Sequence, residues 1–334
     1  MAYLDSYNVG LIMYKVLDLF CGAGGFSHGF ASTFKGTHLA VDTDPLPLST
    51  YSKNYPDAKV LQSDIGTLHS DDIIEIMGGP PDIIVASPPC EEYSIANPDS
   101  RSSATERIYG TGTARLLLDT IRLIGDLSPR AYVVENVAAL LQSGGKTIAQ
   151  REFHRAGVDD MRFNLIRSHR HGNPSKRLRL FMSNVELKLS RKKAPTVMEA
   201  IGDLPSLGID GLFEYNEPVP NHEYPVVSED RMKKIRKTSW GRGARHFRIS
   251  KTKALPNWVR LFPDMISTSI IGLSRYIHPF EDRLLTVREH ARLMSYPDDF
   301  IFLGHIDSQY NQVGESVPPL IAQLIAEEVK SYIE

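Results

Sequence analysis

Val16-Leu-Asp-Leu-Phe20, running straight into Cys21-Gly-Ala-Gly-Gly25, is the stretch that decides the fold. A short apolar run of this kind reads as a strand, and Phe26, Phe30 and Phe34 then recur at helical spacing. The segment therefore predicts strand, glycine turn and helix in succession. Glycines adopt backbone conformations closed to other residues and let main-chain N–H groups approach a ligand, while a helix N-terminus favours an anionic group.

Working outward, Thr37 to Val41, Ala58 to Gln62, Asp82 to Ala86 and Ala131 to Val134 read as further strands, with the amphipathic Ala114 to Leu127 among the intervening helices. Strands alternating with helices predict an α/β protein with a doubly wound, mostly parallel sheet, whose ligands sit beyond the carboxyl ends of the strands. After one more strand at Arg179 to Met182, the alternation fades into a region punctuated by Pro195, Pro205, Gly208, Gly211, Pro218, Pro220 and Pro225. A domain boundary is placed near Glu186, and helical periodicity returns at Val287 to Met294 and Pro319 to Ile333. At about 150 residues per domain, the 334 residues suit two domains or one with a large insertion.

A hydrophobic content of 42% with 23% charged residues is ordinary for a soluble protein. No window approaches the ~18 uncharged apolar residues that a membrane span requires, so no membrane role is expected. Met1 to Tyr14 has no basic cluster or small-residue cleavage pattern, which argues against a signal peptide and for a cytoplasmic protein, nucleoid-associated in a prokaryote. Cys21 and Cys90 are the two cysteines, too few for a disulfide framework or a cysteine-built zinc site, and no metal is expected.

The net charge of -2 conceals an asymmetry. Arg231 to Arg260 contains eleven Lys or Arg and no Asp or Glu, with Trp240, Phe247 and Trp258 interleaved; removing those eleven from the 38 basic residues leaves 27 against 40 acidic ones. A charge run is more often a solvated loop than an interface. Arginine, glycine and aromatic content shift the balance toward nucleic acid, as a local basic face on an acidic body would.

Four positions carry candidate chemistry at the strand ends. Asp42 falls 20 residues after Gly22, where a carboxylate can hydrogen-bond a ribose, and Asp64 follows the third strand, where it could read an adenine edge. Gly22, Gly24 and Ser27 do not complete G-x-G-x-x-G, so a dinucleotide is not favoured. Pro88-Pro89-Cys90 follows the fourth strand, and although a lone cysteine is usually inert, a thiol just past a strand on a proline-fixed loop is poorly explained as core. Glu135 ends the fifth strand at the same edge; alone it would read as a helix cap, but beside Cys90 it makes a nucleophile and acid pair.

Together these residues resemble the DNA cytosine-5 methyltransferase family over nearly the whole chain, in order. Phe20, Gly22, Ala23, Gly24 and Gly25 are similar to its cofactor loop, Asp42, Asp64 and Ile65 to its adenosine contacts, Pro88 and Cys90 to its nucleophile motif and Glu135 to its acid. Arg177 and Arg179 resemble its paired arginines, Arg283 to Asp298 the element supporting its recognition domain, and Glu315, Ser316 and Val317 its closing cofactor segment.

The resemblance implies a Rossmann-like class I methyltransferase fold, with a catalytic and cofactor domain at 1–186 completed by 314–334 and a smaller, irregular target-recognition domain at 187–313. It implies S-adenosyl-L-methionine as cofactor, double-stranded DNA as partner, a flipped cytosine held by Glu135 and Arg179, and covalent attack by Cys90. DNA contacts are expected from Ser94, Arg231, Lys233, Lys234, Arg236, Lys237, Arg242, Arg245 and Arg248. A monomer is expected, with a restriction endonuclease as a possible companion. Departures are Glu91-Glu92 after the nucleophile, Ser175 in place of glutamine and Glu315 in place of asparagine. An RNA cytosine-5 methyltransferase on the same scaffold and a DNA-binding homologue without catalysis are the competing readings.

Overall fold

In the computed structural model, residues 12–89, 108–110, 112–142, 144–207, 219–248 and 254–334 are described. The main sheet is built from β1 (Tyr14–Leu19), β2 (Gly36–Asp42), β3 (Lys59–Gln62), β4 (Ile83–Ala86), β5 (Ala131–Val137), β6 (Arg162–Arg167) and β7 (Leu178–Ser183). Its strand order is β3-β2-β1-β4-β5-β7-β6, parallel from β3 through β5. β7 runs antiparallel to both neighbours, so a turn over residues 168–177 suffices between β6 and β7 and no crossover is needed. β6 escaped the sequence reading because it is an edge strand with half its residues exposed, which leaves no apolar run to see.

Alternate residues of each strand feed opposite faces, as the strand's two-residue period requires. Leu17, Leu19, Val41, Ile84 and Val134 pack against helices α3 (Ser70–Met77), α4 (Leu116–Leu127) and α5 (Gly145–Arg155). Val16, Ile83, Val85 and Val133 pack against α1 (Gly25–Thr33) and the C-terminal helix α10 (Pro319–Ile333). Burying each such side chain contributes roughly 1.5–3 kcal/mol. Gly29 brings α1 and α10 into contact: a Cβ there would lie 2.2 Å from the Ala322 carbonyl carbon.

Between β1 and β4 the strand order reverses direction, which opens a crevice at the carboxyl edge. Helix α2 (Pro45–Asn54) begins beside it, with the Asp44 carboxylate accepting from the Leu46 N–H and Pro45 preset for a first turn.

A second sheet, β8 (Gly243–Arg248), β9 (Ala254–Arg260) and β10 (Tyr276–Ile277), has the order β10-β9-β8. The sequence reading expected irregular structure here. Pro256 and Asn257 within β9, and the two-residue length of β10, obscure the alternation that would have announced strands. Helix α7 (Glu229–Arg236) packs Met232 and Ile235 onto this sheet, against Trp258, Ile277 and Leu284. Helices α6 (Val197–Ile201), α8 (Val287–Leu293) and α9 (Ile306–Glu315) share another core with Ala23 of the glycine turn. Thr286 and Glu289 form a capping box that starts α8, and Glu289 also takes a bidentate bond from the buried Arg283, 2.8 Å on each side.

Candidate active site

The parallel register puts the chemistry on one edge. Leu19 lies level with Val41 and Ala86, and Ala86 with Val134. Phe20, Asp42, Ser87 to Pro89 and Glu135 therefore emerge side by side. Cys90, Glu91 and Ser94 lie outside the described residues.

The glycine turn is held in an unusual backbone path. Phe20, Gly22 and Gly24 take φ values of 58, 51 and 95°. The Gly22 N–H donates to Asp42 Oδ2 at 2.9 Å and the Asp44 N–H to Asp42 Oδ1 at 3.0 Å, so Asp42 fixes the turn from the neighbouring strand. A Cβ on Gly22 would meet nothing within 4 Å, which leaves that side of the turn open to a ligand. Gly25 is the reverse case: a Cβ there would lie 2.5 Å from Tyr296 Oη and 2.7 Å from the Val317 carbonyl, so the turn is pressed against the closing segment.

Beneath the turn, Ser27 donates to Asp18 Oδ2 at 2.5 Å, and the Tyr51 hydroxyl lies 2.7 Å from Ser27 Oγ. The other Asp18 oxygen is buried with no hydrogen-bond partner. Burial raises the Asp18 pKa to about 7, with Ser27 opposing and Asp42 adding to the shift. Cys21 is buried in the same region; burial and then the Asp18 and Asp42 charges push its thiol well above the usual range, which suits a packing residue rather than a nucleophile.

Asp64 stands exposed after β3, where its carboxylate accepts from the Gly66 N–H at 2.8 Å. The side chains of Ala23, Ile65 and Val317 are buried in core clusters, so only their main chains are placed to meet a cofactor. Pro88 is buried, and Asn136 donates to its carbonyl at 3.5 Å, linking the loop after β4 to the end of β5.

Glu135 and Arg179 form the ion pair of this edge, Nε to Oε1 at 2.8 Å, with side chains only 10% and 18% exposed. A carboxylate this dry needs its partner, because removing one member of a buried pair leaves an uncompensated charge. Arg177 has different partners: its Nη1 donates to the Ile270 carbonyl at 2.6 Å and the Gly314 carbonyl at 2.9 Å. The two arginines thus divide their work, with Arg179 at the carboxylate and Arg177 tying the second part of the chain to the closing segment. In the closing segment, Ser316 donates to the Val313 carbonyl at 2.9 Å, and exposed Glu315 reaches to within 2.5 Å of where a Gly272 Cβ would stand.

Arg231, Lys233, Lys234 and Arg236 on helix α7, Lys237 at its end, Arg242 before β8 and Arg245 within it are exposed. Arg248 lies in β8, and its side chain is outside the described residues. Lys233 pairs with Asp230 at 3.5 Å and Arg236 with Glu229 at 3.2 Å, which reduces their free charge. Arg260, the last cation of the run, is interior: it bonds the Thr238, Ile235, His278 and Glu281 carbonyls and Asp282. The run therefore contains a structural arginine that its composition could not distinguish.

Trp258, which the sequence showed only as one of the aromatics interleaved with the cations, organises this region. It is 5% exposed and takes φ 53° between the Gly243–Val259 and Arg245–Asn257 pairs. The guanidinium carbons of Arg231 and Arg245 lie 5.7 and 5.1 Å from its ring centroid. Two arginines from different elements thus share one indole. Asp18 was likewise visible only as a charge inside the apolar run Val16 to Phe20.

The chain is similar to known proteins over most of its length. The family model for C-5 cytosine-specific DNA methylases matches residues 14–331. A Methanocaldococcus jannaschii protein assigned as the type II methyltransferase M.MjaORF1200P is 36% identical, covering 97% of this chain and 100% of its own. The type II methyltransferase M1.HphI of Haemophilus parahaemolyticus is 32% identical, covering 98% and 89%. Among solved structures, a prophage-encoded DNA modification methyltransferase of E. coli superposes with a TM-score of 0.75 at 22% identity, over 95% of this chain and 99% of that one, which establishes the shared fold.

Proposed function

The chain belongs to the C-5 cytosine-specific DNA methylase family, and from that premise we propose that it methylates C5 of a flipped cytosine in double-stranded DNA through a covalent Cys90 adduct. The observation that carries the reading is the dry Glu135–Arg179 pair at the carboxyl edge, beside the Pro88-Pro89 segment that leads to Cys90.

The residues at the glycine turn fit S-adenosylmethionine. Gly22 is open on its ligand side, Asp42 stands at the end of β2 for a ribose, and the unpartnered Asp18 oxygen marks polar demand beneath the turn. Phe20, Asp64 and the main chain of 315–317 complete the set that would hold it. When bound, this cofactor supplies an electrophilic methyl group.

The protein's own residues do the rest. The Cys90 thiolate adds to C6, which breaks the aromaticity of the ring and makes C5 nucleophilic. Glu135 holds the base by hydrogen bonding at its polar edge, and Arg179 keeps that carboxylate aimed and its charge compensated. After methylation, the C5 proton passes to solvent water and the C6–S bond breaks with the Cys90 sulfur leaving as thiolate, which restores the ring. Extruding a base costs a few kcal/mol, and phosphate contacts from Arg231, Lys234, Lys237, Arg242 and Arg245 would offset it.

In this reading, 187–313 acts as the target-recognition domain of a monomeric enzyme in the cell interior. The type II methyltransferase names of its relatives support a restriction–modification setting with a cognate endonuclease. Purified protein is expected to transfer labelled methyl groups from S-adenosylmethionine to duplex DNA, with bisulfite sequencing of plasmid from expressing cells reporting the target site. Label found only on RNA would overturn the substrate assignment.

A further inference from the structure

Outside Arg231 to Arg260 the chain is acidic on average, yet the fold sorts those charges unevenly. β6 ends at Arg167, and residues 168–177 turn back into β7, where Arg179 lies level with Val137. The turn therefore stands at the same edge of the sheet as Glu135. Residues 190–192 are laid along it: His171 bridges Lys192, the Lys192 N–H donates to the Arg170 carbonyl at 3.0 Å, and His171 Nδ1 lies 2.8 Å from the Ser190 carbonyl. Its other flank touches the second part of the chain, where the Lys176 N–H donates to the Ser267 carbonyl at 2.9 Å.

This arrangement gathers Arg167, Arg170, Lys176, Arg191, Lys192 and Lys193, all exposed. Among the described residues none of the six has a carboxylate within ion-pair distance, and Lys193 acts on Glu199 only as a charge at longer range. The acids in the neighbourhood are engaged elsewhere: Glu186 with Arg162 and Lys188, Glu199 in the Thr196 cap. His169 responds to the cluster. Its pKa is lowered first by burial and then by Arg170, Lys176, Arg167 and His171. Mixed signs are the norm on protein surfaces, and a single-sign field beside an active edge serves to attract an opposite charge.

We propose that the turn at 167–176 together with Arg191 to Lys193 is a second DNA-binding face, which grips the sugar-phosphate backbone of the duplex beside the target base. The inference rests on the DNA reading above and extends it. Main-chain bonds fix the two segments to each other, so the cations are presented on a rigid mount rather than a loose loop. Phosphate contacts of this kind set register and orientation and carry no sequence information. The face at Arg231 to Arg248 and this one would then hold the duplex from two separate elements of the fold.

The test is equilibrium binding of the full chain to a labelled duplex between about 50 and 200 mM salt. For Lys192→Gln/Lys193→Gln, the slope of log affinity against log salt is expected to flatten by about 1.8, at about 0.9 for each lost phosphate contact. Affinity at the low-salt end is expected to fall about tenfold, for any duplex sequence. Thermal melting of the variant should match the parent, since both side chains are exposed. Lys35→Gln/Lys59→Gln removes two exposed lysines from the opposite edge of the sheet and is expected to keep the parental slope. An unchanged slope in the first variant, or an equal loss in the second, overturns this proposal and leaves the DNA reading standing. A parent protein that shows no salt-dependent duplex binding overturns both.

Discussion

The two sheets position functional groups by different physics. On the seven-stranded sheet, backbone register does the placing: Phe20, Asp42, Pro88 and Glu135 converge because four parallel strands are paired in one register at their carboxyl edge. Each group is then fixed by a short bond, such as Gly22 to Asp42 or Arg179 to Glu135. On the three-stranded sheet, side-chain packing does the placing. Arg231 and Arg245 come from a helix and a strand and are aligned by the face of Trp258. The first arrangement has little freedom and suits making and breaking bonds. The second is open to solvent and suits contact with a large polyanion, where long cations keep some reach.

The sharpest way to break this division is at the thiol. Cys90→Ala is expected to lower methyl transfer by at least about 10⁴-fold while S-adenosylmethionine binding, measured by calorimetry, stays intact. Activity that survives the substitution would remove the covalent reading of the edge altogether.

Next is the ion pair. Arg179→Ala leaves Glu135 charged and largely dry, so a destabilisation of about 3 kcal/mol is expected by chemical denaturation, together with a large loss of transfer. Glu135→Gln keeps the shape but strips the half-buried Arg179 of its counter-charge, so it should lose activity with a stability loss of similar size. Unchanged stability in both variants would deny that the pair is a charge-compensating device.

The second sheet gives a smaller and different signature. Trp258→Leu is expected to weaken duplex binding about five- to thirtyfold, from two cation–π contacts worth ~0.5–1 kcal/mol each to solvent-exposed arginines. Arg245→Lys should share much of that loss although the charge is kept. A double-mutant cycle between Trp258 and Arg245 that shows simple additivity would dismiss the stacking arrangement.

The mildest test concerns Asp18. The folded protein holds this proton up to about pH 7, whereas an ordinary aspartate releases it near 3.8. Its stabilising contribution is therefore complete below about 3.8 and is lost as the pH rises to about 7. Asp18→Asn removes that titration. Without cofactor, the variant's Tm is expected to gain on the parent by a few degrees between pH 5 and 8, and a constant difference across that range would contradict the buried, proton-holding state.

Much of the main sheet was legible because its strands are buried on both faces and so read as apolar runs, from Val16 to Phe20 through Ala131 to Val134. Glu135 was legible as an acid just past the apolar run, but β5 continues to Val137, so it lies within the strand, opposite Phe181 of β7 and one residue beyond the end of β4. β6 and β9 were not: one is half exposed and the other carries Pro256, and neither leaves a periodic trace. The division of labour between Arg177 and Arg179 was also hidden, since two residues apart in the sequence they look equivalent, although Arg177 falls just before β7 and Arg179 within it.

By itself the sequence determined the order of elements, the glycine turn, the acids at the strand ends and the run of cations at Arg231 to Arg260, because local composition and periodicity record what each segment buries. Tertiary structure alone decided which charges are spent internally and which remain free. Arg260 vanished into the interior, Arg177 became a tie between two distant carbonyls, and cations from 167–176 and 191–193 were brought onto one face. The reason is that a charge acquires its role from partners within a few ångströms, and those partners come from segments that only folding brings together.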